Sequence, residues 1–307
     1  MSLHALLLGT SAGGGLPQWN CGCPNCAAVR RGDGAVEART QSSLAVSADG
    51  ERWLLVNASP DVRQQVVARD ALGPGESVRG SGIEAILLTD GEVDHTHGLL
   101  LMREADRLTV HTTPAVRRSL TGGSGLLPTL GAFLELDWRP VAVTEAADVA
   151  TLTAAGLEVQ AFPLPGDPPA YADGPSTPGD VLGLEIRDPG SGARLVHAPS
   201  FGRLEDGLRD RIAYADAALL DGTLWTDDEM ASVGSDRTAV DMDHLPVSGP
   251  DGSLAALEGL DEVRKIYVHV NNTNPMLRRG SPQRRAVEEA GFEVGRDGTE
   301  LELPDDG

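Results

Sequence analysis

Short apolar runs separated by turn residues recur along this chain of 307 residues. Such runs are typical of β-strands. They come in adjacent groups, followed by helical stretches and then by further strands, which excludes a strict alternation of strand and helix. The pattern therefore predicts an α/β (α+β) chain built on mixed β-sheets.

The predicted elements can be written directly in sequence letters. The predicted strands are, in chain order, HALLLG, SSLAVSA, RWLLVNA, IEAILLT, LTVHT, PVAV, LEVQAFPL, LGLEIRD, RLVHA, DAALLDG, RKIYVHV, FEVG and ELEL. The clearest helical stretches are DVRQQVVARDA and SPQRRAVEEAG, each with a proline or serine start signal.

The composition limits the class of protein. With 40% hydrophobic and 23% charged residues, the chain can bury one large core or two small ones. A net charge of −21 disfavours a nucleic-acid partner, because the surface would repel a polyanion. The start MSLHALLLG lacks a basic region and is too short to span a bilayer, so we expect a cytoplasmic protein without a membrane partner. The assembly state is left open, a homodimer included.

Two segments rich in glycine or proline interrupt the predicted elements. The glycine-rich segment Leu8–Pro17 follows the first strand and predicts a turn with positive φ angles, which we favour over a phosphate cradle. The segment Pro163–Asp180 lies near the middle of the chain. It is typical either of a linker between halves or of a flexible lid over a site.

All the cysteines of the chain, Cys21, Cys23 and Cys26, lie in the short segment WNCGCPNC. Zinc requires four soft ligands in a tetrahedron, and one tight loop can supply three of them. We therefore expect a structural zinc site whose fourth ligand comes from elsewhere. The alternatives are three reduced thiols, or a redox pair of Cys23 and Cys26, although no helix is expected to start there as in thioredoxin.

A second cluster of metal-binding side chains follows the apolar strand IEAILLT. Loops at strand ends are where ligands converge in α/β folds. The alternative is a set of helix-capping acids, but capping does not account for two histidines in the same turn. The cluster therefore predicts a metal site, and its members are Asp90, Glu92, Asp94, His95 and His97.

The segment TDGEVDHTHG resembles the Thr-His-x-His-x-Asp-His motif of the metallo-β-lactamase superfamily. Within that superfamily, the chain resembles the branch that takes part in the biosynthesis of pyrroloquinoline quinone (PQQ). The resemblance implies an αββα sandwich of two mixed β-sheets flanked by helices, in a single domain over residues 1–307. The segments that carry it are GGGLPQWNCGCPNC, RTQSSLAVSADG, WLLVNASPD, LLTDGEVDHTHGLL, LLDGTLWTDDEM, DMDHLPVSGP and VHVNNTNP.

The chain departs from the hydrolases of that superfamily at the metal ligands. Asp90 and Glu92 occupy the early histidine positions, and residues 198–200 (Ala-Pro-Ser) include no bridging acid. The ligands that the resemblance leaves for a single ion are Asp94, His95 and His269.

Two histidines and one carboxylate leave open positions and suit non-haem Fe(II) oxygen chemistry, with zinc able to replace iron. The resemblance implies hydroxylation of the tyrosine ring of a cross-linked Glu-Tyr intermediate, a small molecule cut from a precursor peptide. Two other functions stay open. One is a carrier for PQQ or its precursor, and the other is a metallo-hydrolase of the phosphodiesterase type.

Other residues are assigned by their position beside these motifs. The predicted catalytic residues are His244, Asp90 and Asp221. His244 is flanked by Asp241 and Asp243 and is typical of a proton shuttle or a substrate contact, the alternative being an exposed loop histidine. Asp221 ends an apolar strand, where it can orient His269 or His95.

The remaining assignments concern the substrate pocket and the zinc site. Asn272 stands where related phosphodiesterases have the histidine that completes the zinc site, so its oxygen or water is the predicted fourth ligand. His97 is expected on an exposed helix surface, the alternative being a hydrogen bond to a metal ligand. The residues expected to line the pocket are Ser200, Arg39, Thr40, Gln41 and Trp225, and the arginines expected to bind an acidic substrate are Arg39 and Arg203. The histidines expected to have no ligand role are His4, His111 and His197.

Overall fold

The computed structural model describes residues 2–303. The strands are β1 (Leu3–Gly9), β2 (Ser43–Ser47), β3 (Trp53–Val56), β4 (Ile83–Leu87), β5 (Arg107–Thr112), β6 (Glu135–Pro140), β7 (Ala150–Ala154), β8 (Leu157–Pro163), β9 (Leu182–Arg187), β10 (Arg194–Ala198), β11 (Ala217–Asp221), β12 (Arg264–Val268), β13 (Phe292–Val294) and β14 (Thr299–Leu303).

Helices and shorter helical turns connect these strands. The α-helices are α1 (Pro24–Arg30), α2 (Val62–Val67), α3 (Val93–Thr96), α4 (Pro114–Arg118), α5 (Leu126–Leu130), α6 (Asp206–Ala213), α7 (Ser253–Ala256) and α8 (Pro282–Glu289). A π-helical turn covers Ser119–Gly123. The 3-10 turns are Asp70–Leu72, His97–Met102, Glu229–Val233, Val240–Met242 and Pro275–Leu277.

The strands form two mixed sheets, as the sequence predicts. Within the described residues, each sheet has seven strands, in the orders β14-β1-β2-β3-β4-β5-β6 and β13-β12-β11-β10-β9-β8-β7. In the first sheet β14 and β1 are antiparallel, as are β2 and β3, whereas β3 to β6 are parallel. In the second sheet β7 to β9 are antiparallel and β10 to β13 are parallel.

The chain forms two compact units, each assembled from separate segments. The first unit comprises residues 2–8, 43–194 and 298–303, and the second comprises residues 9–42 and 195–297. The assignment of residues 1–307 to a single domain stays a prediction.

The first unit has an apolar core between its sheet and its short helices. Leu55, Ile86 and Val110 on neighbouring strands are buried in one cluster with Leu120 and Leu130 from the helical segment after β5. Burying such side chains contributes about 1.5–3 kcal/mol each to the free energy of folding. This core holds the end of β4, from which the acid–histidine loop starts.

The second unit is built around the parallel strands β10 to β13. β11 is buried throughout, and β12 is buried from its second residue to its end. Helix α8 begins where predicted, because the Ser281 hydroxyl accepts a hydrogen bond from the Arg284 backbone N–H at 3.0 Å. The carboxyl ends of parallel strands meet at one sheet edge, which brings Asp221 and His269 together.

Two strand predictions were wrong. Residues 140–143 (PVAV), predicted as a strand, lie mostly outside β6, which covers the preceding residues Glu135–Pro140, and β7 was missed. Both β6 and β7 are edge strands of their sheets. The side chains of β6 are half-buried or exposed, and only the last residue of β7 is buried, so both strands lack the apolar run on which the predictions depended. No helix within the described part of the chain is long and apolar enough to cross a membrane.

Candidate metal and catalytic sites

The loop after β4 in the first unit carries a buried carboxylate bound to a buried histidine. The Asp90 carboxylate lies 2.7 Å from Nδ1 of His95. It also accepts hydrogen bonds from the Thr89 hydroxyl at 2.8 Å and the Glu92 backbone N–H at 2.9 Å. Asp90 therefore fixes the orientation of the His95 ring.

The charges in this loop favour an ion pair in the metal-free chain. Burial lowers the pKa of His95, but the nearby carboxylates of Asp90 and Asp94 outweigh burial and raise it to about 9. Burial likewise opposes ionisation of Asp90, yet the His95 charge and hydrogen bonds hold the pKa of that carboxyl below its ordinary value. Because Nδ1 of His95 is held by Asp90, Nε2 is the atom that suits a metal ion.

Asp94 offers a second ligand atom beside His95. Its Oδ2 lies 4.0 Å from Nε2 of His95. Zinc binds nitrogen and carboxylate oxygen at about 2.0–2.2 Å, so one ion can reach both atoms. These side chains fit a divalent metal ion.

His97 does not lie on an exposed helix surface, contrary to the prediction. It is half-buried, and its ring contacts the Tyr171 ring edge to face at a centroid distance of 6.3 Å. Its Nδ1 lies 3.1 Å from the Thr96 hydroxyl. Burial lowers the pKa of His97. The ring of His97 therefore forms a contact between the acid–histidine loop after β4 and the segment that carries Tyr171.

That segment, which we call the proline-rich strap (residues 163–180), is hydrogen-bonded to the acid–histidine loop and packs against it. The Tyr171 hydroxyl donates a hydrogen bond to the Gly91 carbonyl. A side chain at Gly91 would meet Pro169, since a Cβ there would lie 3.0 Å from Cγ of the proline. This packing favours the lid interpretation of the strap over the linker interpretation.

The second unit has a carboxylate–histidine pair with the same geometry. Asp221 is fully buried, and its Oδ2 lies 2.7 Å from Nδ1 of His244. Burial would raise the pKa of Asp221, but the charges of His244 and His269 and the surrounding hydrogen bonds keep it lowered. The side chain of His244 is only 12% exposed, so the alternative of an exposed loop histidine was wrong.

Thr223 extends this pair to a second histidine. The Thr223 hydroxyl lies 2.6 Å from Asp221 Oδ1 and 2.8 Å from Nδ1 of His269. Donation to Asp221 leaves its oxygen free to accept the Nδ1 proton of His269, which directs Nε2 towards a ligand. Thr223 was missed in the sequence, although its place two residues after a strand-ending aspartate is a signal that could have pointed to it.

The two histidines of the second unit lie against each other. Their rings stack at a centroid distance of 5.3 Å and an angle of 29°. One donor atom from each of Asp221, His244 and His269 lies within 4.8 Å of the others. His269 has a positive φ of 53°, which is uncommon for a residue other than glycine and typical of functional sites.

The structure places the predicted acids as follows. Asp90 and Asp221 are each buried against a histidine, which suits orienting its ring, and their assignment as catalytic residues stays a prediction. The acid that pairs with His244 is Asp221, whereas Asp241 is exposed and binds the Thr238 backbone N–H at 3.0 Å. Adjacency in sequence thus indicated the wrong partner for His244.

The three cysteine side chains lie close together, and the side-chain amide of Asn272 contacts their sulfurs. One sulfur from each of Cys21, Cys23 and Cys26 lies within 4.8 Å of the others, and all three are free thiols. The Asn272 side-chain nitrogen lies 3.1, 3.5 and 3.3 Å from these sulfurs. Rotating the amide by half a turn would direct its oxygen to the same point. The donor set fits zinc.

One argument against a redox pair does not hold. Helix α1 starts directly after Cys23, which caps it by accepting a hydrogen bond from the Cys26 backbone N–H. The hydrogen bonds around Cys23 outweigh its burial and lower its pKa, whereas burial raises the pKa of Cys26 to about 11. A third cysteine and the Asn272 amide still favour a metal site over a disulfide.

Three residues predicted to line the pocket or to bind an acidic substrate make contacts within the chain. Arg39 is 7% exposed and donates hydrogen bonds to the Gly295 carbonyl and, at 2.8 Å, to the Thr10 hydroxyl. The Thr40 hydroxyl donates to Asp297 at 2.8 Å. Arg203 pairs with Glu205 at 2.6 Å on the surface.

The other predicted residues lie as follows. Gln41 accepts a hydrogen bond from the Gly14 backbone N–H at 3.0 Å. Gly14 and Gly15 have φ angles of 89° and 68°, which confirms the predicted turn. Ser200 and Trp225 are half-buried. The histidines expected to have no ligand role lie in β1, β5 and β10, and they are His4, His111 and His197.

Comparison with known proteins identifies the family. A family model described as the beta-lactamase superfamily domain matches residues 52–270. The coenzyme PQQ synthesis protein B of Methylobacterium nodulans is 45% identical, over 98% of this chain and 100% of that protein. The protein of the same name from Azoarcus sp. is 44% identical, over 97% and 99%. This chain belongs to the coenzyme PQQ synthesis protein B family of the β-lactamase superfamily.

Solved structures agree with this family. The crystal structure of Zn²⁺-bound PqqB from Methylobacterium extorquens has a TM-score of 0.88 and 39% identity, and the match covers 97% of this chain and 99% of that one. A diphosphatase of the PhnP family has a TM-score of 0.67 at 18% identity over 99% of both chains, which shows a shared fold alone. The predicted family and the predicted fold class, two mixed sheets flanked by helices, are confirmed.

Proposed function

We propose that this chain acts in PQQ biosynthesis as an oxygenase with one ferrous ion, hydroxylating the tyrosine ring of a cross-linked Glu-Tyr precursor. Its similarity to coenzyme PQQ synthesis protein B over the full chain supports the pathway. The proposed ligands of the ion are Asp94, His95 and His269. Zinc can occupy the same ligands, because it generally binds such sites more tightly than Fe(II).

The observation that carries this proposal is the hydrogen bond between Asp90 and His95. Asp90 stands where hydrolases of the superfamily have a metal-binding histidine, and its carboxylate is 2.7 Å from Nδ1 of His95. An acid that holds a metal ligand in place suits a centre with one ion. A two-metal clamp for phosphodiester hydrolysis would need ligands at this position and at Glu92, which is exposed.

Ferrous iron bound by these ligands would supply the activation of O₂ for attack on the phenol ring. The residues of the second unit supply the proton chemistry. Asp221 holds His244 by Nδ1, so Nε2 of His244 is the atom that can accept the phenol proton. Thr223 keeps His269 in the tautomer that leaves Nε2 for the metal.

We further propose that the cysteine cluster binds a structural zinc ion, with Asn272 as the fourth ligand. The three sulfurs and the Asn272 side chain lie close enough to surround one ion. A tetrahedral site of this kind contributes to folding, because it forms only when the chain is folded.

Oxygen uptake tests the proposed activity. Metal-free protein is loaded with Fe(II) without air and given a phenolic Glu-Tyr compound, a reductant and O₂. We expect uptake that depends on the substrate and that is lost in His269→Ala and His95→Ala but retained in His4→Ala. Absence of uptake in loaded wild type contradicts the proposal. Binding of PQQ without turnover would then favour a carrier, and phosphodiester cleavage with zinc would favour a hydrolase.

A further inference from the structure

A turn in the second unit contacts both the cysteine cluster and the residues that hold His269. We call it the NNTN turn, residues Asn271–Asn274, which are separated from His269 by Val270 alone. Asn272 reaches the three sulfurs. The Asn271 backbone N–H donates to the Thr223 carbonyl at 3.0 Å, and the Asn274 side chain donates to the Gly222 carbonyl at 3.0 Å.

Helix α1 is bound to the same turn. The Asn25 side chain donates hydrogen bonds to the carbonyls of Asn272 at 3.0 Å and Asn274 at 2.9 Å. Asn25 lies between Cys23 and Cys26, so these bonds hold the cysteine loop against the turn. Hydrogen bonds therefore connect the cysteine loop to the turn that begins two residues after His269.

Glu229 is hydrogen-bonded to Thr273 of the same turn and has no part in the proposed chemistry. Its carboxylate accepts hydrogen bonds from the Thr273 hydroxyl and, at 2.6 Å, from the Trp225 backbone N–H. The Thr273 hydroxyl in turn accepts a bond from the Asn271 side chain at 2.6 Å. A carboxylate taken out of water is costly unless its bonds compensate, and burial raises the pKa of Glu229 to about 7.

We propose that Glu229 is a positioning residue that holds the NNTN turn, so that metal binding at the cysteine cluster and the orientation of His269 depend on each other. This inference deepens the proposed function, since it rests on metal binding at the cysteines and at His269. Coupling of this kind is reciprocal. Loosening the turn at Glu229 must weaken the cysteine cluster and must also uncouple His269 from it.

Cobalt binding tests the first half of the inference. Full-length metal-free protein is titrated with Co²⁺, and absorption from sulfur-to-cobalt charge transfer reports on the cysteine cluster alone, because the ligands proposed at the active site contain no sulfur. We expect binding to weaken about three- to tenfold in Glu229→Gln and in Thr273→Val, less than the roughly 10–100-fold typical of residues bonded directly to a ligand. Asp228→Asn, an exposed neighbouring acid, is the matched control and should bind as wild type does.

NMR of labelled histidine rings tests the second half. The His269 signals are assigned by their loss in His269→Ala. Zinc is then added to metal-free protein carrying Asp94→Ala and His95→Ala, which removes the other proposed active-site ligands so that zinc fills the cysteine cluster alone. In this background, filling the cysteine cluster should shift the His269 ring signals, and Cys23→Ser should abolish the shift. In Glu229→Gln most of this shift should disappear.

Wild-type cobalt affinity together with a wild-type His269 shift in Glu229→Gln would overturn the inference. If Glu229→Gln does not fold, as judged by circular dichroism, the same two measurements on Thr273→Val decide. Neither readout involves O₂ or a PQQ precursor. The coupling can therefore fail while the oxygenase proposal stands, and it can hold in a protein that shows no turnover.

Discussion

Each unit holds a histidine by a hydrogen bond between a buried carboxylate and Nδ1, but the two carboxylates differ in the number of histidines that they orient. In the first unit Asp90 binds Nδ1 of His95, and in the second Asp221 binds Nδ1 of His244, both at 2.7 Å. Asp90 serves one histidine. Asp221 serves a second one through the Thr223 hydroxyl, so a single fully buried carboxylate orients two rings.

The difference concerns how each pair is assembled. Asp90 and His95 lie five residues apart in one loop, whereas Asp221 and His244 are separated by 23 residues and come together only in the folded chain. The first pair depends on local turn geometry. The second pair depends on the packing of the parallel strands. A substitution in that pair should therefore destabilise more of the structure.

Removing the two carboxylates tests this contrast most strongly. Breaking a buried charge pair by deleting one partner costs about 3–5 kcal/mol. We expect Asp221→Ala to lie at the upper end of that range, because it also removes the acceptor of the Thr223 backbone N–H and one acceptor of the Thr223 hydroxyl, and Asp90→Ala at the lower end. Urea unfolding of the metal-free proteins measures both, with the exposed Asp210→Ala as control. Equal losses would contradict the wider role of Asp221.

In the first unit the Thr89 hydroxyl donates to Asp90, whereas in the second unit the Thr223 hydroxyl contacts both Asp221 and Nδ1 of a second histidine, His269. Thr223→Val keeps the shape but leaves a buried carboxylate oxygen and Nδ1 of His269 without their shared partner. The expected cost is about 1–3 kcal/mol in the free energy of unfolding, with weaker metal retention. Calorimetric unfolding and metal analysis of the variant measure the two effects. Thr226 is nearby and half-buried, and Thr226→Val should change neither stability nor metal retention. A similar effect in Thr226→Val would contradict a specific role of the Thr223 hydroxyl in linking Asp221 to His269.

Glu229 sharpens the comparison, because it is a half-buried carboxyl of the second unit to which the structure assigns no histidine contact. Burial raises its pKa to about 7 from an ordinary value of 4.5. As pH rises, the unfolded chain therefore loses this proton first. The stability that Glu229 contributes is complete below its unfolded pKa and is lost as the pH rises through its folded pKa.

In Glu229→Gln this loss should be absent. Urea unfolding of wild type and variant between about pH 5 and pH 8 measures it, and the difference between the two curves isolates Glu229 from the other acids. The wild-type curve should fall relative to that of the variant across this window. Parallel curves would mean that Glu229 ionises in the folded chain as it does in the unfolded one.

The smallest expected effect concerns the strap of the first unit. Tyr171→Phe removes one hydrogen bond to the Gly91 carbonyl, which contributes about 1 kcal/mol. Hydrogen exchange should become faster in residues 90–97 and in the strap, with little change elsewhere. Tyr214→Phe, whose side chain is exposed, should leave exchange unchanged. An unchanged pattern in Tyr171→Phe would show that packing of the ring and of Pro169, without the hydrogen bond, holds the strap.

The sequence predicts strands that contain a run of buried apolar residues and misses strands that contain few. β1, β4, β11 and β12 are apolar runs and were located, whereas the edge strands β6 and β7 carry exposed polar residues and were not. Helix α6 has a buried Leu208 and Ile212 but few other apolar residues, so its periodicity was too weak to detect.

The candidate sites divide in the same manner. The cluster around His95 was found because its residues are consecutive in the chain. The partner of His244 was not, because sequence adjacency indicated Asp241 and Asp243 while the fold supplied Asp221. Thr223 carries no charge and belongs to no metal-binding pattern, so only its contacts mark it.

The origin of the oxygen atom in the product tests the central claim most directly. Fe(II)-loaded protein is given the Glu-Tyr compound, a reductant and O₂ labelled with heavy oxygen in ordinary water, and the product is analysed by mass spectrometry. The proposed oxygenase must place one labelled atom on the tyrosine ring. Unlabelled product, or product formed equally well without O₂, would contradict the account.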